Sequence, residues 1–202
     1  ECDWSSDVCS SDLGETQFDR AAEDVGNIVS LEHVNTEIPD QGLATLFYVA
    51  GLGLARDPFQ FVSVNNMWVN AGRCQFHLPT GKPQKLHGHT ALVIPNRAAL
   101  IKRLEAVQKP LQGTEFSYAE RSDHIEAVSP WGNVMRCYEP GKRFGRMLLG
   151  IPYVELEVPE GTAAGIARFY AEIFKAPTSI KNGNAAHVKI GADQTLIFRS
   201  EE

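Results

Sequence analysis

The chain has 202 residues, 43% of them hydrophobic and 22% charged. That is enough for one large domain or two small ones around a real core, and it rules out wholesale disorder. The formal charge of −6 divides into −7 in residues 1–27, where eight acids face one base, and +1 in the rest, with 17 acids and 18 bases. A near-neutral body has no bulk field to gather nucleic acid or anionic lipid.

No apolar run approaches the ~20 residues of a membrane span, so no membrane association is expected. The opening Glu1-Cys2-Asp3-Trp4 is acidic where a secretory leader would be basic, with no apolar stretch behind it. Residues 3–13, DWSSDVCSSDL, have no helical or strand period and resemble the translated read-through of a sequencing adapter. Residues 1–27 are therefore set aside as a non-native or disordered acidic head. Cys2, Cys9, Cys74 and Cys137 form no C-x-x-C pair, which argues against a zinc ribbon or redox dithiol and points to a reducing, cytoplasmic setting.

The body repeats one unit three times. Val34–Ile38, Thr90–Ile94 and Val154–Val158 each run into a proline, at Pro39, Pro95 and Pro159. An amphipathic helix follows each: Leu43 to Tyr48, Leu100 to Val107, and Ile166 to Phe174. Asp40 and Asn96 are placed to cap the first two. Short strand-like runs come next: Phe59–Val64, Met67–Asn70 and Cys74–Leu78; then Phe116–Arg121, Ile125–Ser129 and Val134–Tyr138; then Ala185–Ile190 and Gln194–Phe198. The expected fold class is α+β, made of strand–helix–three-strand (βαβββ) modules. Period-two alternation gives each first strand an apolar face and a polar one, with His33, Asn35 and Glu37 on the polar side of the first.

This order of elements resembles the vicinal oxygen chelate superfamily, which includes glyoxalases, extradiol ring-cleaving dioxygenases and bleomycin-resistance proteins. The pieces that carry the resemblance are Leu31-Glu-His33-Val, Phe47-Tyr48-Val-Ala-Gly51-Leu-Gly53-Leu, Gly88-His89-Thr-Ala-Leu, and Trp131-Gly132-Asn133. It implies that two modules pair into a cup-shaped sheet holding a divalent metal and a small substrate. Copies one and two, residues 28–140, are expected to form that cup. The third copy, 149–202, is expected to be unpaired, the start of a second such domain cut short. Its polar face, Tyr153, Glu155 and Glu157, would then lie open or be closed by a second chain, making a homodimer through the third module.

The resemblance places metal ligands on first and last strands. His33 and His89 both lie six residues before their prolines, and His77 falls at the last-strand position of copy one. Three neutral imidazoles there suit Fe, Mn, Ni or Zn. The matching position of copy two is Arg136, which cannot ligate because a guanidinium offers no lone pair. The offset gives Tyr153 and Leu196 in copy three. Arg136, Tyr138 and Asn35 are the expected substrate-binding residues, suited to a carboxylate, enolate or phenolate. Arg136 pairing with Glu37 or another cup-face acid is the alternative. His87, His124 and His187 read as surface residues, Cys74 and Cys137 as buried apolar ones, and Trp68 and Trp131 as core or turn packing.

Two functions follow: a metal-dependent small-molecule enzyme of dioxygenase or glyoxalase type, or a metal-free protein that sequesters a ligand in the same cup. The histidines favour the first and Arg136 the second.

Overall fold

The structure is a computed structural model and describes residues 28–59 and 65–200. The acidic head and most of the expected strand 59–64 lie outside the described residues. Module one comprises β1 (His33–Asn35), a helical turn Gln41–Ala44 that continues as a π-helix Thr45–Gly51 (together α1), β2 (Ala55–Arg56), β3 (Asn66–Ala71) and β4 (Cys74–Pro79). Module two comprises β5 (Gly88–Val93), α2 (Arg97–Gln108), β6 (Ser117–Glu120), β7 (Ile125–Val128) and β8 (Val134–Tyr138). Module three comprises β9 (Tyr153–Val158), α3 (Ala163–Ile173), β10 (Thr178–Lys181), β11 (Ala185–Gly191) and β12 (Gln194–Ser200).

Local chemistry starts the first two helices as the sequence predicts. Asp40 Oδ1 accepts from the Leu43 N–H at 2.8 Å, and Asn96 Oδ1 from the Ala99 N–H at 3.0 Å. Asn96 sits at φ 66°, a left-handed conformation that asparagine tolerates better than most residues. No helix among the described residues is long and apolar enough to cross a membrane.

The pairing of modules differs from the expectation. The strands form a four-stranded sheet, β1-β4-β3-β2, and an eight-stranded sheet, β10-β11-β12-β9-β5-β8-β7-β6. Copies two and three therefore share the large sheet, while copy one has a sheet of its own. The third module is not unpaired: β5 runs antiparallel to β9 with His89 opposite Glu155 and Thr90 opposite Val154. Gly88 opens this join. It adopts φ +129°, and a side chain there would fall onto the Glu155 carbonyl oxygen, so the close approach of β9 needs a glycine. The boundary expected between 140 and 149 thus falls within one continuous sheet.

Modules one and two meet through helices instead. The bare backbone of Gly51 rests against Leu104 and Val107 of α2. Phe47, Tyr48, Leu52, Leu100, Leu104 and Val107 belong to one buried cluster. Burying each such side chain contributes roughly 1.5–3 kcal/mol, so apolar packing rather than strand pairing attaches module one. The sequence could not distinguish the two arrangements, because all three modules carry the same strand-to-proline offsets.

Candidate functional site

In the eight-stranded sheet, alternation sends one set of side chains to the helices and the other into a concave face. Val154, Leu156 and Phe198 pack toward the helices. Ala91, Val93, Tyr138, Phe144, Tyr153, Ala185 and Ile197 form a separate buried cluster on the concave side. Phe144 reaches it from a short 3-10 helix, Lys142–Phe144, between the modules. This apolar floor supports a cavity of about 710 Å³. The charged residues lining it are Arg136, Arg143, Lys181, Lys189 and Arg199 against Glu155 and Asp193.

A chain of polar contacts crosses the join between the two modules. Tyr138 Oη lies 2.8 Å from Tyr153 Oη, which lies 3.3 Å from His89 Nε2. His89 is 5% exposed. Burial, then the Arg136 charge, lowers its pKa to about 4, so it is neutral at physiological pH. Burial and the Tyr138 hydroxyl push the Tyr153 phenol well above its usual range, so Tyr153 keeps its proton and is a hydrogen-bond donor. The Arg143 guanidinium stacks 4.6 Å from the Tyr138 ring centroid.

The charges of the cup are unequally satisfied. Arg199 donates to Glu155 twice, Nε to Oε1 at 2.8 Å and Nη2 to Oε2 at 3.1 Å. Burial opposes ionisation of Glu155, but this bidentate bond and the nearby positive charges hold its carboxyl below the usual range. Glu126 accepts from Arg121 at 2.9 Å, and Arg136 Nε approaches Glu126 Oε2 only to 3.7 Å. That Nε is buried and has no hydrogen-bond acceptor. A buried guanidinium N–H without an acceptor costs about 1–3 kcal/mol or more, while the rest of the Arg136 guanidinium is partly exposed to the cavity.

The predicted residues are divided between the two sheets. His33 and His77 come together on the polar face of the four-stranded sheet, ring centroids 6.1 Å apart. Asn35 is the register partner of His77. Trp68 is not core packing: it stacks on His77 at 4.0 Å. His89, Arg136 and Tyr138 are in the eight-stranded sheet. His33, His77 and His89 therefore do not converge, and no group of three or more His, Cys, Asp or Glu suited to a metal occurs among the described residues. The cause is the module pairing, which puts copy one in a different sheet from copy two. The acid nearest Arg136 is Glu126, its register partner on the same face and so another cup-face acid in place of Glu37.

Smaller corrections follow from register. Opposite Glu155 on the last strand of copy three stands Ile197, not Leu196. His124 is not a surface residue: its ring sits 5.1 Å from Tyr138 and its Nδ1 2.7 Å from Asp123 Oδ1. His187 lines the cavity, its pKa lowered by burial and then by Lys181 and Arg199. His87 is exposed. Cys74 and Cys137 are buried, and burial raises the Cys137 thiol to about 12. The reading missed Arg143, Lys181, Lys189 and Arg199. Arg199 and Lys189 share strand faces with Ile197 and His187, so once copy three is paired their place follows. Strand β10 carries no apolar alternation and is visible only through its pairing with β11.

No protein-family model matches the sequence, and no curated protein matches it. The fold is similar to that of a candidate dioxygenase from Bacillus subtilis, with a TM-score of 0.56 at 18% identity over 85% of this chain and 64% of that one. It is also similar to glyoxalase I from Zea mays, with a TM-score of 0.55 at 12% identity over 84% of this chain and 66% of that one. The chain has the vicinal oxygen chelate fold. It spans just under two thirds of the length of these two proteins.

Proposed function

We propose that the eight-stranded cup binds a small organic anion, a carboxylate, enolate or phenolate, without a metal. The observation that carries this reading is the Arg136 guanidinium, a partly exposed member of the cavity wall that approaches Glu126 only to 3.7 Å, beside the Tyr138–Tyr153 hydroxyl pair. Five bases against two acids on the cavity wall attract negative charge, and the apolar floor suits a ligand with a hydrocarbon body. Arg136 would take the anionic oxygen, Tyr138 or Tyr153 would donate to it, and Arg143 would neutralise its outer side. The donor set does not fit a dication: His89 is the imidazole of this strand pair, Glu155 opposite it is held twice by Arg199, and Arg136 puts a positive charge beside them. Calorimetric titration with benzoate, phenylpyruvate and phenol tests the reading. A carboxylate or phenol should saturate one site, and Arg136→Leu should weaken it tenfold or more, the effect of losing a charged hydrogen bond worth about 1.5–3 kcal/mol. Equal affinity in the variant would sink it.

A second reading is favoured by His33 and His77: a metal-dependent enzyme of the dioxygenase or glyoxalase type working on the four-stranded face. Its polar side offers two imidazole donors there, with Trp68 stacked behind His77. Two donors are fewer than the three protein ligands usual at a catalytic metal. Metal affinity of His33→Ala and His77→Ala, measured against wild type with Mn, Fe, Ni and Zn, decides it; no difference would reject it.

A further inference from the structure

The two halves of the cup treat their charges differently. In module two, Arg136 has an acid across the strand: Glu126 faces it in register and accepts from Arg121 at 2.9 Å. In module three, β11 carries Ala185, His187 and Lys189 at alternate positions, and therefore on one face. Lys181 of β10 stands opposite Ala185. Ala185 belongs to the cavity floor, and Lys181, His187 and Lys189 all line the cavity above it. The acids of the wall are engaged elsewhere. Glu155 is held twice by Arg199, and Asp193 lies against Gly145 in the segment between the modules. Among the described residues, the Lys181 and Lys189 ammonium groups make no hydrogen bond or ion pair. Burial, then Lys181 and Arg199, lowers the pKa of His187. It is therefore uncharged at neutral pH, and the two lysines hold the positive charge of this end.

We propose, resting on the reading of the cup as an anion site, that its ligand is a dicarboxylate with an apolar middle. One carboxylate meets Arg136 and the tyrosine hydroxyls, the other Lys181 and Lys189 with His187 beside them. The sheet sets the two ends apart. Arg136 is on β8 and Lys189 on β11, with β5, β9 and β12 between them. Four strand spacings make about 19 Å from backbone to backbone along the sheet, and long side chains reach inward from both ends. The ground between them does not suit an anion. Phe144, Tyr153 and Ile197 give it apolar surface, and the Glu155 carboxylate is already paired with Arg199. A fatty monoacid leaves its hydrocarbon end among two ammonium groups, whereas a diacid meets positive charge at both ends. Several methylenes are needed between the carboxylates, and a short diacid does not span the gap.

Calorimetric titration of the full chain at low salt, with octanoate and octanedioate, compares acids of one length carrying one and two carboxylates. The diacid should bind about tenfold tighter, the combined effect of two exposed ion pairs. Succinate, too short to span, should show no such gain over butyrate. Both lysines are exposed, so Lys181→Met with Lys189→Met keeps the fold, and in that variant the ratio of the two octyl affinities should fall to about one. Octanoate binding that depends on Arg136, with octanedioate no tighter, overturns this inference and leaves the single-anion reading standing. A diacid advantage that survives the loss of both lysines overturns it as well. Binding of neither acid overturns the reading of the cup, and this inference with it.

Discussion

Tyr138 and Tyr153 come from the last strand of one module and the first strand of the next, and their hydroxyls meet at 2.8 Å beneath the cavity. That single contact joins the two halves of the cup at its polar centre. Only one of the two can donate to the other, so one hydroxyl hydrogen is available for His89 or for a ligand.

Tyr153→Phe removes the central member of the chain and leaves Tyr138 and His89 without their shared partner. The expected loss of stability is about 1–3 kcal/mol, the cost of leaving buried polar groups unsatisfied. Tyr138→Phe removes a hydroxyl that meets only Tyr153 in this chain of contacts and should cost less. Urea unfolding of both variants gives the comparison, and a Tyr153→Phe protein as stable as wild type would show that water replaces the hydroxyl.

His89 makes stability fall in mild acid. Its pKa is about 4 in the folded protein and 6.5 ordinarily, so the unfolded chain binds its proton first. The contribution is complete above pH 6.5 and is lost as pH falls toward 4, about 3 kcal/mol in all. The lowered His187 acts in the same direction. Urea midpoints taken at pH 7.5, 5.5 and 4.5 should drop steadily in wild type and much less in His89→Gln. Parallel slopes in the two proteins would assign the acid sensitivity elsewhere.

Two glycines give opposite expectations. Gly88→Ala drives a side chain into the β9 backbone at the join and requires a positive φ, so the cup should open or the protein fail to fold. Gly165 lies in α3 with nothing near the space a side chain would fill, and Gly165→Ala should stabilise by up to ~1 kcal/mol. Thermal melts of the pair check both signs.

Leu104 is fully buried between α2 and the π-helical part of α1. Truncation to alanine should cost about 2–5 kcal/mol. Because this packing fixes module one, limited proteolysis of Leu104→Ala should cut module one before the cup; cleavage first within β11 or β12 would contradict the division into two sheets.

The repeat was legible because its signals are local. Apolar spacing marked the helices, prolines closed the first strands, and Asp40 and Asn96 declared two helix starts. Arg136 was placed by the last-strand position that the family resemblance implies, and Tyr138 by alternation, which puts it on the same face. What could not be read was which first strands meet. That choice rests on Gly88 admitting a neighbouring backbone and on Gly51 admitting α2, contacts between residues 67 and 53 positions apart in sequence (Gly88 with Glu155, Gly51 with Leu104). The histidine trio is divided between the sheets for that reason, and Tyr153, at the copy-three position that matches His33 and His89, lies between His89 and Tyr138.

The attachment of module one by helices, and of module three by strands, sets an order of assembly during synthesis. Every partner in the apolar contact between α1 and α2 has been made once Val107 leaves the ribosome, and short-range packing of this kind forms quickly. The cup must wait. Strand β9, the first of module three, lies between β5 and β12, and the floor takes Ala185 and Ile197 from the last strands. Until β12 is translated, β9 has one free edge and the floor remains open. A nascent chain arrested before Gln194 should therefore resist protease up to α2 while leaving Tyr153 accessible.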